Sequence, residues 1–385
     1  MNGKKVGILT FFNRMNYGAE LQAYALHKKV RDLGYDCELL DVLSPRDASA
    51  KKPQVHKPLA SSIRIESTKS RINHKISYYL AAVLGSKNDQ NRKRRFEAFK
   101  RDYLTVSKQK FASVDDLYCY EMPYDIFITG SDQVWNPQTT LTSPEPYFLT
   151  FAAEDKLKIS YAASFGVSSF PDEMKSYYKK WLANIDYISV RENQGADIVR
   201  DISGRTATVV LDPTLLLNAE DWNKAAAEPL LKKPYILLYT RIHSPYITRL
   251  ACYLSRKTGY SIVRIPRGNI REGVEYKVKN MFDTGPSEFL GLFKNASFVL
   301  TSSFHGTAFA VNFNKPFYSI VRKGGAINSR MISLLGNLNL ESRLLFDGDD
   351  FPKDDDIFVD FSKANVALAK EREKSLSFLA VAFRN

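Results

Sequence analysis

The chain has 385 residues, of which 44% are hydrophobic and 25% charged, with a formal net charge of +13. That size suits two ordinary domains with a sizeable core, and the apolar content excludes a disordered chain. No apolar run approaches the ~20 residues that cross a bilayer. The start, MNGKKVGILTFF, lacks the long apolar region and small-residue cleavage site of a signal peptide. A cytoplasmic protein is expected.

In chain order, KVGILTFF (5–12) reads as a buried strand, AELQAYALHKKVRDLG (19–34) as a helix closing at Gly34, and CELLDV (37–42) as a second strand. This strand–helix–strand unit opens a doubly wound sheet. Residues 44–110 hold 17 Lys and Arg against 5 Asp and Glu, while the rest of the chain is nearly balanced. The basic character is therefore local, in a helical insertion that includes NRKRRFEAFKRDY (91–103). A solvated helical face accounts for such a run, and so does attraction to an anionic membrane surface. Nucleic acid is not expected, because no zinc finger, helix-turn-helix or RNA-binding aromatic signature accompanies the charge.

Further on, YDIFITG (124–130), KISYAAS (158–164), YISVRE (187–192) and TVVLDPTLLL (208–217) are short, apolar and bounded by turn residues. They read as central strands buried on both faces. After a polar, Pro-containing stretch, PYILLYT (234–240), YSIVRI (260–265), SFVLT (297–301) and FYSIV (317–321) continue the pattern, with SEFLGLFKNA (287–296) as an intervening helix. Residues 361–385 read as a long amphipathic helix. The expected fold is α/β: two Rossmann-like domains facing a cleft, with a C-terminal helix packing back. Domains are placed at 1–217, carrying the insertion 44–110, and at 218–350, followed by a helical tail at 351–385.

Ligands of such sheets sit beyond the C-terminal ends of the strands. After the first strand, Asn16, Tyr17 and Gly18 form a polar turn into a helix. After YDIFIT come Ser131, Asp132, Gln133 and Trp135, a polar and aromatic block suited to a sugar, or else a loop network around a core tryptophan. Ser164 ends the next strand. Arg191 ends another, where it needs an anion: an internal carboxylate, or a substrate phosphate or carboxylate held bidentately. Asp212–Pro213 reads mainly as turn chemistry. In the second half, Arg241 and His243 follow one strand, and Ser303, His305, Gly306 and Thr307 follow another at a helix start.

No G-x-G-x-x-G or P-loop is present, so neither a dinucleotide nor a P-loop nucleotide site is signalled. Cys37, Cys119 and Cys252 are too scattered for a zinc set, and the acidic run 347–350 reads as a solvated loop. No metal or cofactor is expected.

NYGAELQAYAL, DIFITGSDQVWN, SYAASFG, ISVRE, VVLDPT and SSFHGTAFAVNFNKPF, in this order, resemble the polysaccharide pyruvyl transferases over about residues 6–345. The resemblance implies a two-domain fold similar to the GT-B glycosyltransferases. It also implies transfer of a pyruvyl group from phosphoenolpyruvate to a sugar, usually as a cyclic ketal, with release of phosphate. The acceptor it implies is a saccharide, in many members lipid-linked in the cytoplasm as a surface-polysaccharide precursor. His305 and Arg191 are then expected to be catalytic. Arg191, Arg241, Ser303, His305, Gly306 and Thr307 are expected at the donor, and Asn16, Tyr17, Ser131, Asp132, Gln133, Trp135 and Ser164 at the acceptor. His305 either protonates the vinyl carbon or grips phosphate. Asp132, His243 or the departing phosphate takes the hydroxyl proton. A nucleotide-sugar glycosyltransferase of the same fold and a non-catalytic polysaccharide-assembly protein are the alternatives.

Overall fold

The computed structural model describes residues 3–13, 15–42, 87–113, 115–138, 143–167, 169–242, 244–266, 277–324, 328–353 and 357–384. Most of the basic insertion, 43–86, and His243 lie outside them.

The first domain is a seven-stranded sheet. Its strands are β1 (Lys5–Leu9), β2 (Asp36–Val42), β3 (Val106–Phe111), β4 (Ile126–Thr129), β5 (Leu157–Ala163), β6 (Tyr187–Val190) and β7 (Thr208–Val209). They lie in the order β3-β2-β1-β4-β5-β6-β7, and every pairing is parallel. The second is a six-stranded sheet of β8 (Tyr235–Tyr239), β9 (Ser261–Arg264), β10 (Val278–Asn280), β11 (Phe298–Thr301), β12 (Phe317–Val321) and β13 (Leu344–Phe346). Its order is β10-β9-β8-β11-β12-β13, again all parallel. Both sheets reverse direction beside their first strand, β1/β4 in one and β8/β11 in the other. A doubly wound sheet leaves its ligand crevice at that switch point.

Helix α1 (Tyr17–Asp32) shows why the halves stay together. Asn16 caps it by accepting from the Gly18 N–H at 3.2 Å, Glu20 lies in its first turn, and Lys29 and Arg31 in its last suit the helix dipole. Residues 17–27 are buried without a break. A helix covered on all sides is lodged between layers rather than lying on a surface. One flank packs on its own sheet. The other meets the second domain, where Tyr17 stacks on Phe289 with ring centroids 4.6 Å apart and donates its hydroxyl to Thr284 O at 2.9 Å.

The basic helix α2, residues 87–103, runs beside α1. Arg92 donates to Met15 O and lies over the Tyr17 ring, and Arg95 pairs with Asp283 and Glu288 of the second domain. These two arginines are spent on internal contacts. Lys93 and Arg94 are exposed.

Helix α3 (Lys175–Ala183) joins β5 to β6 and α4 (Asn193–Ser203) joins β6 to β7, and the chain then crosses between domains through α5 (Pro213–Leu216) and α6 (Ala219–Asn223). The second domain adds α7 (Pro245–Thr258), α8 (Pro286–Lys294), α9 (Phe304–Asn312) and α10 (Asn328–Asn337). Helix α11 (Ser362–Arg384) then returns to the first domain. There Phe383 stacks on Tyr35 at 4.3 Å and the Ser375 hydroxyl accepts from the Leu211 N–H at 2.9 Å. Two Rossmann-order sheets set end to end, closed by a returning C-terminal helix, form the GT-B arrangement.

Candidate active site

The C-terminal ends of β4, β5, β6 and β7 converge on one carboxylate, Asp212, which is 1% exposed. Its Oδ1 caps the short helix α5, accepting from the Thr214 N–H at 3.0 Å and hydroxyl at 2.7 Å. Its Oδ2 faces Arg191 Nη1 at 2.8 Å, the Ser131 hydroxyl at 3.1 Å and His305 Nε2 at 3.6 Å. Burial opposes ionisation of this carboxyl, but His305 and Arg191 outweigh it and hold it well below the usual carboxylate range.

Arg191 is buried against Phe304, its guanidinium 4.6 Å from the ring centre. Burial works against its charge, but Asp212, Glu192 and Asp132 raise its pKa and keep it a cation. Its Nε and Nη2 make no hydrogen bond, although Glu192 and Asp132 lie within 3.8 and 3.9 Å of the guanidinium. The anion at the end of β6 is thus an internal carboxylate, with two guanidinium nitrogens left over.

His305 sits in the first turn of α9, at the end of β11, and is 8% exposed. Its ring packs on Gly18 at the start of α1, so closely that a Cβ there would collide with the imidazole. Only glycine lets α1 approach. Ser303, the N-cap of α9, makes no side-chain capping bond, so the first-turn N–H groups have no such cap. The second domain therefore brings an imidazole and a helix N-terminus onto the Asp212–Arg191 pair of the first.

The other expected residues divide. Asp132 joins the cluster in a left-handed backbone conformation (φ 68°), which Asp tolerates better than most residues. Burial would raise its carboxyl, yet Arg191, His305 and Arg330 lower it. Ser131 is fully buried, fixed by Gln22 Oε1 on its N–H at 3.1 Å and by Ala162 O and Asp212 on its hydroxyl. Arg241 is exposed, and its backbone N–H donates to Ser302 Oγ at 2.7 Å.

Several expected contacts are structural instead. Trp135 is a core residue: it is 0% exposed, stacked on Phe148 at 4.7 Å, and its Nε1–H donates to Tyr147 O. No sugar face reaches it. Ser164 bonds Glu192 at 2.8 Å, and Thr307 bonds Ser319 at 2.6 Å. Tyr17 is sealed between the domains, Asn16 serves as the α1 cap, and Gly306 packs on Thr301 and Tyr239.

Three residues escaped the sequence reading. Asp212 passed as turn chemistry, because an Asp-Pro corner shows only the capping role of its first oxygen. Gln22 faces inward from α1 in a stretch that reads as plain helix. Arg330 lies on α10, a helix whose apolar positions alone did not announce it.

Among known proteins, the family model for polysaccharide pyruvyl transferase matches residues 16–324. No curated protein is significantly similar. Among solved structures, the UDP-GlcNAc 2-epimerase of Methanocaldococcus jannaschii overlaps with 97% of this chain and 92% of its own, at 11% identity and a TM-score of 0.49. Spinosyn forosaminyltransferase overlaps with 97% and 95%, at 12% identity and a TM-score of 0.46. The His305, Asp212 and Arg191 cluster lies wholly inside the matched span, and by that match the chain belongs to the polysaccharide pyruvyl transferase family.

Proposed function

We propose that the protein moves the pyruvyl group of phosphoenolpyruvate onto two hydroxyls of a saccharide, forming a ketal and releasing phosphate. The observation that carries this reading is the buried contact of His305 with Asp212, beside Arg191, where the two sheets meet. A donor bearing a carboxylate and a phosphate needs fixed cations. Arg191, Arg241 and the uncapped start of α9 supply positive potential without a metal.

In the proposed reaction, His305 gives a proton to the vinyl carbon, C3. One acceptor hydroxyl adds to C2 and loses its proton to a base, Asp132 or the phosphate. The second hydroxyl then displaces phosphate from C2, and its proton leaves with the phosphate. Protons balance, since the one added to carbon is replaced by the one lost from the first hydroxyl. Asp212 supports the proton-donor role of His305 over simple phosphate binding, because a carboxylate 3.6 Å from an imidazole stabilises its charged form.

The test is mass spectrometry of a lipid-linked saccharide incubated with phosphoenolpyruvate. The acceptor should gain pyruvate with loss of water, with phosphate released in step. His305→Ala should cut turnover about a hundredfold or more while the chain stays folded. Near-wild-type turnover ends the assigned role, and sugar transfer from a nucleotide sugar would make the protein a glycosyltransferase instead.

For a lipid-linked acceptor we propose that α2 faces an anionic membrane through Lys93 and Arg94. Vesicle binding should fall at high salt and in the Lys93→Gln/Arg94→Gln double variant. Binding indifferent to both removes the idea. Among the described residues no helix is long and apolar enough to cross a membrane.

A further inference from the structure

Helix α10 brings one more arginine to the meeting of the sheets. Arg330 is 7% exposed and belongs to the second domain, yet its guanidinium reaches the first. Nη1 and Nη2 lie 3.0 and 2.8 Å from the side-chain oxygen of Gln133, in the amide orientation that lets this oxygen accept. Gln133 itself is hemmed in by Gly166, where a Cβ would come within 2.6 Å of its amide carbon. The Nε of Arg330 has no hydrogen-bond partner.

A buried guanidinium usually ends on a carboxylate. Here a neutral amide fills the fork, and other cations stand close by. Burial and then Arg191 push Arg330 down to about 10 against the pull of Glu192 and Asp132, and Arg241 adds further repulsion. Three arginines therefore crowd the strand ends, with the Arg330 fork engaged only by an amide, and Arg330 Nε and Arg191 Nε and Nη2 left over. The carboxylates nearby leave the cluster near neutrality without a ligand. An incoming anion could replace the amide oxygen with charge-assisted bonds of roughly twice the strength.

We infer that Arg330 is a donor-binding residue: its fork takes the carboxylate or phosphate of a small organic phosphate, and Gln133 holds the fork in place until that anion displaces its amide oxygen. The inference rests on the proposed pyruvyl-transfer reading for the identity of the anion, but not for its charge. It gives Gln133 a part on the donor side rather than at the acceptor. Because Arg330 and Gln133 belong to different domains, the exchange also couples donor arrival to the contact between them.

Titration calorimetry on the full chain tests this with phosphoenolpyruvate, with 2-phosphoglycerate, which carries the same two anions without the enol, and with UDP. In Arg330→Met the Kd for phosphoenolpyruvate and 2-phosphoglycerate should rise about tenfold or more, and in Arg330→Lys by a smaller factor, because a point charge cannot replace the fork. Gln133→Glu gives the fork an internal carboxylate. It should weaken both ligands while raising the melting temperature, so the result does not depend on Arg330→Met folding. Phosphoenolpyruvate bound equally well by wild type, Arg330→Met and Gln133→Glu overturns the role of Arg330 and leaves the donor reading standing. UDP bound by wild type and lost in Arg330→Met, with no binding of phosphoenolpyruvate, keeps Arg330 as an anion ligand and removes the pyruvyl donor. A wild-type chain that binds none of the three overturns the inference.

Discussion

Each oxygen of Asp212 has a separate occupation. Oδ1 starts helix α5 through Thr214, and Oδ2 accepts from Arg191 and Ser131 and faces His305 Nε2 at 3.6 Å. The first is visible in the sequence, because Asp before Pro is a capping pattern; the second depends on three residues 21 to 93 positions away and on how the domains meet. Asp212→Asn separates the two. The amide can keep the cap, but it removes the charge that balances Arg191 and His305. Turnover should fall about a hundredfold or more, and stability by about 3–5 kcal/mol, since one partner of a buried pair loses its counter-charge. Thr214→Val, which touches only the cap, should cost about 1 kcal/mol and spare turnover. Steady-state kinetics and chemical denaturation of both variants check this; equal effects would show that Asp212 acts through the cap alone.

At the scale of elements, α1 carries an unusual load for a helix buried on all sides. Glu20 is 0% exposed and both its carboxylate oxygens lack partners. Burial raises its pKa from 4.5 to about 8, with Lys100 and the nearby Asn13 backbone N–H pulling down and Glu97 pushing up. The folded chain keeps this proton up to about pH 8, whereas the unfolded chain releases it near 4.5. Glu20 thus costs stability progressively as pH rises through that window, and the loss levels off above it. Glu20→Gln should therefore leave stability at pH 5 almost unchanged and raise it by about 2–5 kcal/mol at pH 8. Denaturant unfolding at the two pH values decides the matter, and an equal effect at both removes Glu20 as the cause. The element pattern itself was largely legible. Apolar runs marked β1, β2, β4, β5, β6, β8, β9, β11 and β12, because central parallel strands are buried on both faces. The edge strands β3, β10 and β13 were not, since a half-exposed strand such as VSKQKF has no apolar run to show. TVVLDPTLLL (208–217) reads as one strand, but only Thr208 and Val209 form β7, and Asp212 and Pro213 open a helix.

Across the whole molecule, the main hydrophobic core does not stop at the domain boundary. It runs from Val6 and Ile8 of the first sheet through Leu21 of α1 to Leu237 and Val299 of the second, with Leu379 of α11 included. Domains with a polar contact swing freely, and an apolar shared core opposes that. Asn312 fastens the same seam, donating to Thr214 O and Leu217 O and accepting from Arg372 of α11. Asn312→Ala leaves buried groups unpaired and should cost about 1–3 kcal/mol, with one cooperative unfolding transition for the whole chain. Two separate transitions in calorimetry would show that the halves fold independently.

The division of His305 and Asp212 between these halves has a further consequence. On the proposed reading, neither half alone holds both the proton and the carboxylate that stabilises it. A high-energy donor resting on one half would meet water without an acid to assist it. The seam then acts as a safeguard against waste: phosphate is shed at the pace of saccharide modification, and the energy of the enol phosphate is not lost to hydrolysis.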